Sequence, residues 1–468
     1  MGAPTDFTTQ ATRSNAPWQT IGVIGGGFMG LVVAQRLASR GHAVTVLERD
    51  TQLGGLATYH QYGPFFWDRF YHCILPSDTH LLGFLKEVGL EEQLRWVRTR
   101  TGYYVNGQSY SMSGNGDFVR FPLVNLWGKI RLAFTVLYCS RINDWRQLEN
   151  ITVEDWLVKT CGRSTYEKFW RPLLLAKLGE HYRRVSAVFI WTYIKRLFSA
   201  RDTAVQKEHL GYVSGGYKTI LERTAESVHF AGGEIATGVT VKHISSCAKG
   251  GVWVDDDRGR AHFDKVIFTS PTNVLQNVAA PGLVKIDGSN TVEYLGVVCM
   301  VLVTRKPFDP YYVVNIADSR IPFTGLIGMS NLVSLQETAG RYLTYLPKYV
   351  LSDDALLRKP DEEIQAMFFA GLRLMFPEMK MEDIESVHIN RAVKVQPLQV
   401  LNYSALVPQV ATGNADFFVL NTAQFVNCTL NNNEVVRLVD EFLTKHERQF
   451  ASHGDSTHGK TEPYALQS

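Results

Sequence analysis

Gly25, Gly27 and Gly30 fall within the stretch TIGVIGGGFMGLVVAQRLASRGHAVTVLERD, Thr20 to Asp50, and Glu48 follows the last of them by 18 residues. Each glycine of such a run has separate work. The first permits a tight turn, the second lets backbone come within reach of a pyrophosphate, and the third lets a helix pack close on a strand. The helix that starts there turns its free N–H groups and the positive end of its dipole toward the phosphates. An acid about 20 residues further on accepts hydrogen bonds from a ribose whose 2′-OH is free. The chemistry on offer is the holding of a dinucleotide. The acid argues against a 2′-phosphate but does not separate NAD from FAD.

Elements of the right kind flank these residues. Ile21 to Ile24 is a short apolar run that reads as a strand, Leu31 to Ala38 repeats with helical spacing, and Ala43 to Leu47 is a second apolar run ending at Glu48. Strand, turn, helix and strand make a βαβ unit of about 30 residues. Phe28 and Met29 lie in its first helical turn and Arg49 follows the acid. A second glycine pair, Gly54-Gly55 with Leu56 behind it, would let the backbone pass beside the same dinucleotide again.

The Glu48-x5-Gly54-Gly55 arrangement resembles the flavin-binding signature of the amine oxidase, protoporphyrinogen oxidase and phytoene desaturase superfamily. The stretches YGPFFWDRFYHCILPSD, LLLAKLGEHYRRVSAVFIW, LGYVSGGYKTILE, VVNIADSRIPFTGLI and YLPKYV are similar to a bacterial branch of NAD(P)/FAD-dependent oxidoreductases, so the likeness runs from Thr20 to about Phe442. The resemblance implies FAD as cofactor and an α/β fold (α+β overall), in which a Rossmann-like FAD/NAD(P)-binding domain is joined to a discontinuous substrate domain of mixed sheet and helices. The expected division gives 20–99, 208–290 and 396–451 to the flavin domain and 100–207 and 291–395 to the substrate domain. It also implies that the backbone of Val241, in a strand of the hairpin expected after the helix beginning GGYKTILE, sits beside the adenine. Asn433 is the natural N-cap of the closing helix, whose N-terminus would stabilise the N1/O2 edge of a reduced flavin. Where the branch tends to carry Pro, Asp and Arg, this chain has Asn427, Thr429 and Leu430, a departure that bears on flavin tuning or on substrate contacts.

In a flavoenzyme the ring carries the hydride or electron chemistry and the protein positions substrate, so few catalytic side chains are needed. Asp68, Tyr71 and His72 follow the glycine pair and could lie near the flavin, with His72 as a base or a hydrogen-bond donor, or as a structural histidine. Arg391 and Lys394 could face the cleft or be strand-end charges; the second reading is preferred. No second complete G-x-G-x-x-G unit is present, so an external acceptor, oxygen or a quinone, is expected to reoxidise the flavin.

The chain of 468 residues is 45% apolar and 20% charged, ordinary for a globular protein and long enough for two domains. Its net charge of +3 hides an asymmetry: Phe118 to Lys207 holds 16 Lys plus Arg against 7 Asp plus Glu, +9, which leaves −6 elsewhere. That basic block carries Trp127, Trp145, Trp156, Trp170 and Trp191. Its segment Phe121 to Trp145 has the composition of a helix resting on anionic lipid, or of a buried helix pair with solvated basic edges; the second reading is preferred. No nucleic-acid motif accompanies it. The six cysteines have neither C-x-x-C nor zinc-like spacing, so free thiols and no metal are expected. No run reaches the ~18 apolar residues of a spanning helix, and Tyr294 to Val303 reads as a buried strand. Residues 1–19 and 452–468 read as a disordered leader and tail, and the protein as cytoplasmic, possible membrane association aside. The sequence reads as an FAD-dependent oxidoreductase that dehydrogenates or oxidises a small or lipophilic molecule by hydride transfer. A redox-neutral isomerase resembling UDP-galactopyranose mutase, or a non-catalytic flavoprotein-derived scaffold, are the alternatives.

Overall fold

A computed structural model describes residues 19–199, 209–284 and 292–450. Most of the expected leader and the whole of the expected tail lie outside the described residues.

The β-branched runs of the glycine-rich unit become inner strands of a five-stranded parallel sheet. Its order is Phe417–Val419, Lys265–Phe268, Thr20–Ile24, Ala43–Leu47 and Glu234–Ala236. Parallel strands need cover on both faces, and alternation supplies it. Ile21, Val23, Val44, Val46, Ile267 and Phe418 turn to the helices Phe28–Ser39, Gly216–Phe230 and Asn432–Lys445. Ile24, Leu47, Val266, Phe268, Phe417 and Val419 turn to a three-stranded antiparallel sheet, Val241–Ser246, Val252–Asp256 and Arg260–Phe263.

The hairpin expected after Gly216–Phe230 does not form. Glu234–Ala236 pairs with Ala43–Leu47, whereas Val241–Ser246 pairs with Val252–Asp256. The link between them is captured by the end of the second strand: Gly238 N–H donates to the Asp50 carbonyl and Val239 N–H to that of Glu48, at 3.0 and 2.8 Å. Gly238, at φ +71°, turns the chain from one sheet to the other.

The second large sheet has seven strands in the order Ile384–Pro397, Tyr294–Thr304, Tyr342–Leu351, Gly325–Gly328, Val313–Ile316, Thr101–Val105 and Gln108–Ser111. All neighbours are antiparallel except Val313–Ile316 with Thr101–Val105. Every residue of Tyr294–Thr304 is buried, as its composition predicts. Val297, Cys299, Val301 and Val303 face Tyr62, Trp67 and Tyr345. Val298, Met300 and Leu302 face Phe368, Phe369 and Leu372 of the helix Asp361–Met375. From Asn115 to Ser199 the chain forms helices around Trp156, Tyr166, Tyr182 and Trp191. No helix among the described residues is long and apolar enough to cross a membrane.

One ion pair ties that helical group to the glycine-rich half. Arg196 of helix Ala187–Ser199 donates from both terminal nitrogens to Asp78, at 2.9 and 3.1 Å, just before helix Thr79–Glu87. Asp78 is nearly inaccessible, and burial raises its pKa against the opposing pull of Arg196. Removing one partner strands a desolvated charge, whereas removing both does not. Arg196→Leu should therefore cost about 3 kcal/mol in urea unfolding, and Arg196→Leu with Asp78→Asn should recover most of it. Equal losses in the single and double variants would show that the pair is not the tie.

Candidate functional site

The turn between Ile24 and Phe28 is built to bring bare backbone to a point. Gly25 holds φ at +110° and donates its N–H to the Leu47 carbonyl at 2.9 Å. Gly30 lies so close beneath that turn that a Cβ there would overlap the Gly25 carbonyl oxygen. Gly27 differs: its φ of −66° suits any residue, and a Cβ would meet nothing nearer than Gly55 Cα at 3.9 Å. Neither strain nor packing within the chain requires glycine at 27. Its bareness suits close approach by a group from outside, and helix Phe28–Ser39 begins there with no side-chain cap on its N–H groups. Phe28 and Met29 bury their side chains in the core and contribute the backbone of that first turn.

The second glycine pair lies against the first. Gly54 N–H donates to the Gly26 carbonyl at 2.9 Å, and Gly27 and Gly54 form an isolated parallel bridge. Glu48 is pinned at the edge of this cradle, its Oε2 accepting from Gly26 N–H at 2.5 Å and its Oε1 from Asp50 N–H at 2.8 Å. A carboxylate so held keeps acceptor capacity for ribose hydroxyls. Leu56 is half-buried in the short turn Gly55–Ala57, and Arg49 is exposed, 3.6 Å from Asp50. Val241 opens its strand two residues beyond the Val239–Glu48 contact. The cradle, the uncapped helix and the fixed carboxylate fit an adenine dinucleotide.

At the closing helix the expected cap is corrected. Asn431, not Asn433, caps Asn432–Lys445, its Oδ1 accepting from Glu434 N–H at 3.0 Å. Asn433 lies one residue inside the helix, where its side chain points outward. Its Oδ1 accepts from the N–H groups of His80 and Leu81, at 2.9 and 3.1 Å, and so caps helix Thr79–Glu87 instead. In the divergent segment, Thr429 is buried and both its oxygens accept from Asn431 Nδ2.

Asp68 and His72 stand side by side, while Tyr71 lies beyond them against Tyr349. Asp68 is buried, its Oδ1 accepting from Tyr217 N–H at 2.7 Å, and its carbonyl oxygen receives the Tyr345 hydroxyl at 2.5 Å and that of Tyr62 at 3.3 Å. His72 Nδ1 stands 3.4 Å from Asp68 Oδ2, an ion-pair distance without hydrogen-bond geometry, and is otherwise buried without a partner. The His72 ring lies 4.5 Å from that of Tyr217, which meets Phe28 edge-on at 6.2 Å. A continuous aromatic path thus joins the glycine turn to His72. A small cavity opens there, lined by Trp67, Asp68, His72, Cys73 and Tyr217.

Beyond it Tyr71 meets residues that the sequence reading did not single out: Tyr349, Lys177, Tyr193 and Gln396. The hydroxyls of Tyr71 and Tyr349 are 2.8 Å apart, and Lys177 Nζ sits 3.1 Å from the centre of the Tyr349 ring. Tyr193 donates to Gln396 Oε1 at 3.3 Å. Burial pushes the Lys177 ammonium down to about 7 and raises the phenols of Tyr71 and Tyr349. The available signal was a lysine in the apolar run LLLAKLG; without the fold, it reads as a surface charge.

Arg391 is turned away. Register sets Asn390 opposite Cys299 on the inner face and Arg391 opposite Val298 on the outer one. There Arg391 pairs with Asp361 at 2.6 Å, while Asn390 donates to the Tyr62 hydroxyl and the Arg69 carbonyl. Lys394 lies over the Tyr294 ring, 5.3 Å from its centre. Both lie inside strand Ile384–Pro397 and not at its end.

Comparison with known proteins adds a family. The model described as "Flavin containing amine oxidoreductase" matches residues 29–399. The chain is 27% identical to the flavin-containing amine oxidase A of the dog, Canis lupus familiaris, over 224 residues that make up 44% of this chain and 42% of that enzyme. An oxidoreductase from Methanosarcina mazei superposes with a TM-score of 0.71 at 18% identity, over 91% of this chain and 100% of that one. Reduced UDP-galactopyranose mutase superposes with a TM-score of 0.67 at 15% identity, over 92% and 97%. At these identities the two structures speak for the fold alone.

Gly27 and Gly30 separate binding from folding. Gly27→Val should cut the flavin retained per chain by about tenfold or more, while the flavin-free proteins unfold within about 0.5 kcal/mol of each other. Gly30→Ala should instead cost about 1–3 kcal/mol by overpacking. Full flavin occupancy in Gly27→Val, read from absorbance and the mass of the released ligand, would move the diphosphate elsewhere.

Proposed function

Because the chain belongs to the family of flavin containing amine oxidoreductases, we propose that it is an FAD-dependent oxidoreductase that dehydrogenates a small or lipophilic organic molecule. The observation that carries this reading is the bare Gly27 face, set against Gly54-Gly55 and beside the pinned Glu48 carboxylate. The turn Gly25–Gly30 and the N–H groups of Phe28 and Met29 would hold the diphosphate, Glu48 the ribose, and the backbone near Val241 the adenine. When bound, FAD supplies the two-electron acceptor.

The substrate side is carried by Tyr71, Tyr193, Tyr349, Gln396 and Lys177. The phenols stay protonated because burial raises them, so they present neutral rings and hydrogen-bond donors to an uncharged or weakly polar molecule. Above about pH 7 the Lys177 amine is neutral and can accept a proton from a substrate N–H or O–H. Tyr349 positions it through its ring face, and Tyr71 fixes Tyr349 through the paired hydroxyls. His72, between Asp68 and Tyr217, would lie nearer the cofactor than these residues and would orient rather than transfer.

Two measurements test the reading. The purified protein should be yellow, release FAD on heating, and be bleached anaerobically by an oxidisable organic substrate, with the colour returning on admission of oxygen or a quinone. Turnover with no consumption of acceptor, only after prior reduction, would replace the oxidoreductase with an isomerase. A colourless protein that takes up no FAD would replace it with a scaffold.

The pH dependence of Lys177 gives the second. Between about 7 and the ordinary lysine value near ~10.4 the unfolded chain holds a proton that the folded chain does not. Stability should therefore rise with pH across that window, and Lys177→Met should lose the rise. The same variant should lose the limb of kcat/KM that climbs as pH passes upward through about 7. If that limb persists in Lys177→Met, another group accepts the proton.

A further inference from the structure

Helix Leu126–Arg141 is apolar on two opposite sides. Gly128, Leu132, Thr135 and Cys139 form its buried side, and the Trp191 indole N–H donates to the Cys139 carbonyl at 3.0 Å. The other side carries Leu126, Trp127, Ile130, Phe134, Leu137 and Tyr138, each between 40% and 72% exposed. These positions recur every three or four residues, so they form one stripe along a helix about 24 Å long. Single exposed apolar residues are commonplace, but a contiguous stripe of large ones marks a contact surface.

The charges around the stripe identify its occupant. Helix Leu126–Arg141 contains no acidic residue, and from Asn115 to Arg141 there are four cations, Arg120, Lys129, Arg131 and Arg141, against Asp117 alone. None of the four pairs with a carboxylate among the described residues. Instead Lys129 Nζ donates to the Val119 carbonyl, Arg131 to those of Lys159 and Thr160, and Arg141 to that of Leu137. Val119, whose carbonyl receives Lys129, is itself exposed on the preceding helix Asn115–Arg120. A second copy docked here would bring one cationic rim against another. At 16 residues the helix is shorter than the ~20 needed to cross a bilayer. Trp127 toward one end and Tyr138 toward the other are the side chains that settle at the boundary between headgroups and acyl chains.

We propose that this face docks on an anionic lipid bilayer, with helix Leu126–Arg141 lying in the plane of the interface and its cations on the headgroups. The docking does not depend on the reaction. It would set the helical group on the bilayer from which a lipophilic substrate could be drawn.

The full-length protein should be sedimented with vesicles of phosphatidylcholine alone and of phosphatidylcholine containing phosphatidylserine. Sedimentation with the second kind is expected, weakened by salt and weakened about tenfold or more in Trp127→Glu/Phe134→Glu and in Arg120→Glu/Arg141→Glu. All of these residues are exposed, so flavin content and thermal unfolding should match the parent; Leu126→Ser serves as a milder variant if either pair fails to fold. Failure of the parent to sediment, equal sedimentation with both vesicle types, or undiminished binding by the variants would overturn the proposal. So would light scattering showing a dimer that Trp127→Glu/Phe134→Glu dissociates, with no vesicle binding.

Discussion

The contact on which the rest depends joins backbone to backbone: Gly54 N–H to the Gly26 carbonyl, with Gly27 and Gly54 bridged side by side. Two loops from the ends of two different strands meet there with no side chain between them. That meeting sets Glu48 against Gly26 N–H, starts helix Phe28–Ser39 at an open point, and aims the chain after Gly55 toward Asp68. Because the interaction uses only main-chain atoms, most surrounding residues are free to drift. Retention of the fold at 15–18% identity to solved structures is consistent with this.

A second constraint couples the glycine turn to the seven-stranded sheet. Asp68 spends its carboxylate on the N-terminus of helix Gly216–Phe230 and its carbonyl on the hydroxyls of Tyr62 and Tyr345. One residue thus anchors a helix of the parallel-sheet half and a strand of the other half. Strict alternation along Tyr294–Thr304 does the remaining positioning: a slip of one residue would exchange the faces turned to Tyr345 and to Phe368.

What could be read in the sequence was what local periodicity and backbone chemistry encode. The βαβ unit, the buried strand within Tyr294–Thr304 and the closing helix follow from short-range pattern. The failures were long-range. Gly238 reads as a hairpin turn until the end of the second strand is known to capture the same link. Among three consecutive asparagines, which one caps depends on where the helix starts, and only the approach of Thr79–Glu87 gives Asn433 its partners. Lys177 was invisible for the same reason, since the ring it covers lies 172 residues away.

The parallel sheet also has a consequence in time. Its two first-made strands, complete by Leu47, gain their outer neighbours only when Glu234–Ala236 and Lys265–Phe268 have been made, and the last edge waits for Phe417–Val419. At ribosomal speeds of about 5–20 residues per second, a nascent chain would carry this βαβ unit with both outer strand edges unpaired for about 10–40 seconds before its first new neighbour emerges. During synthesis the glycine turn is among the earliest parts made and among the last to be enclosed.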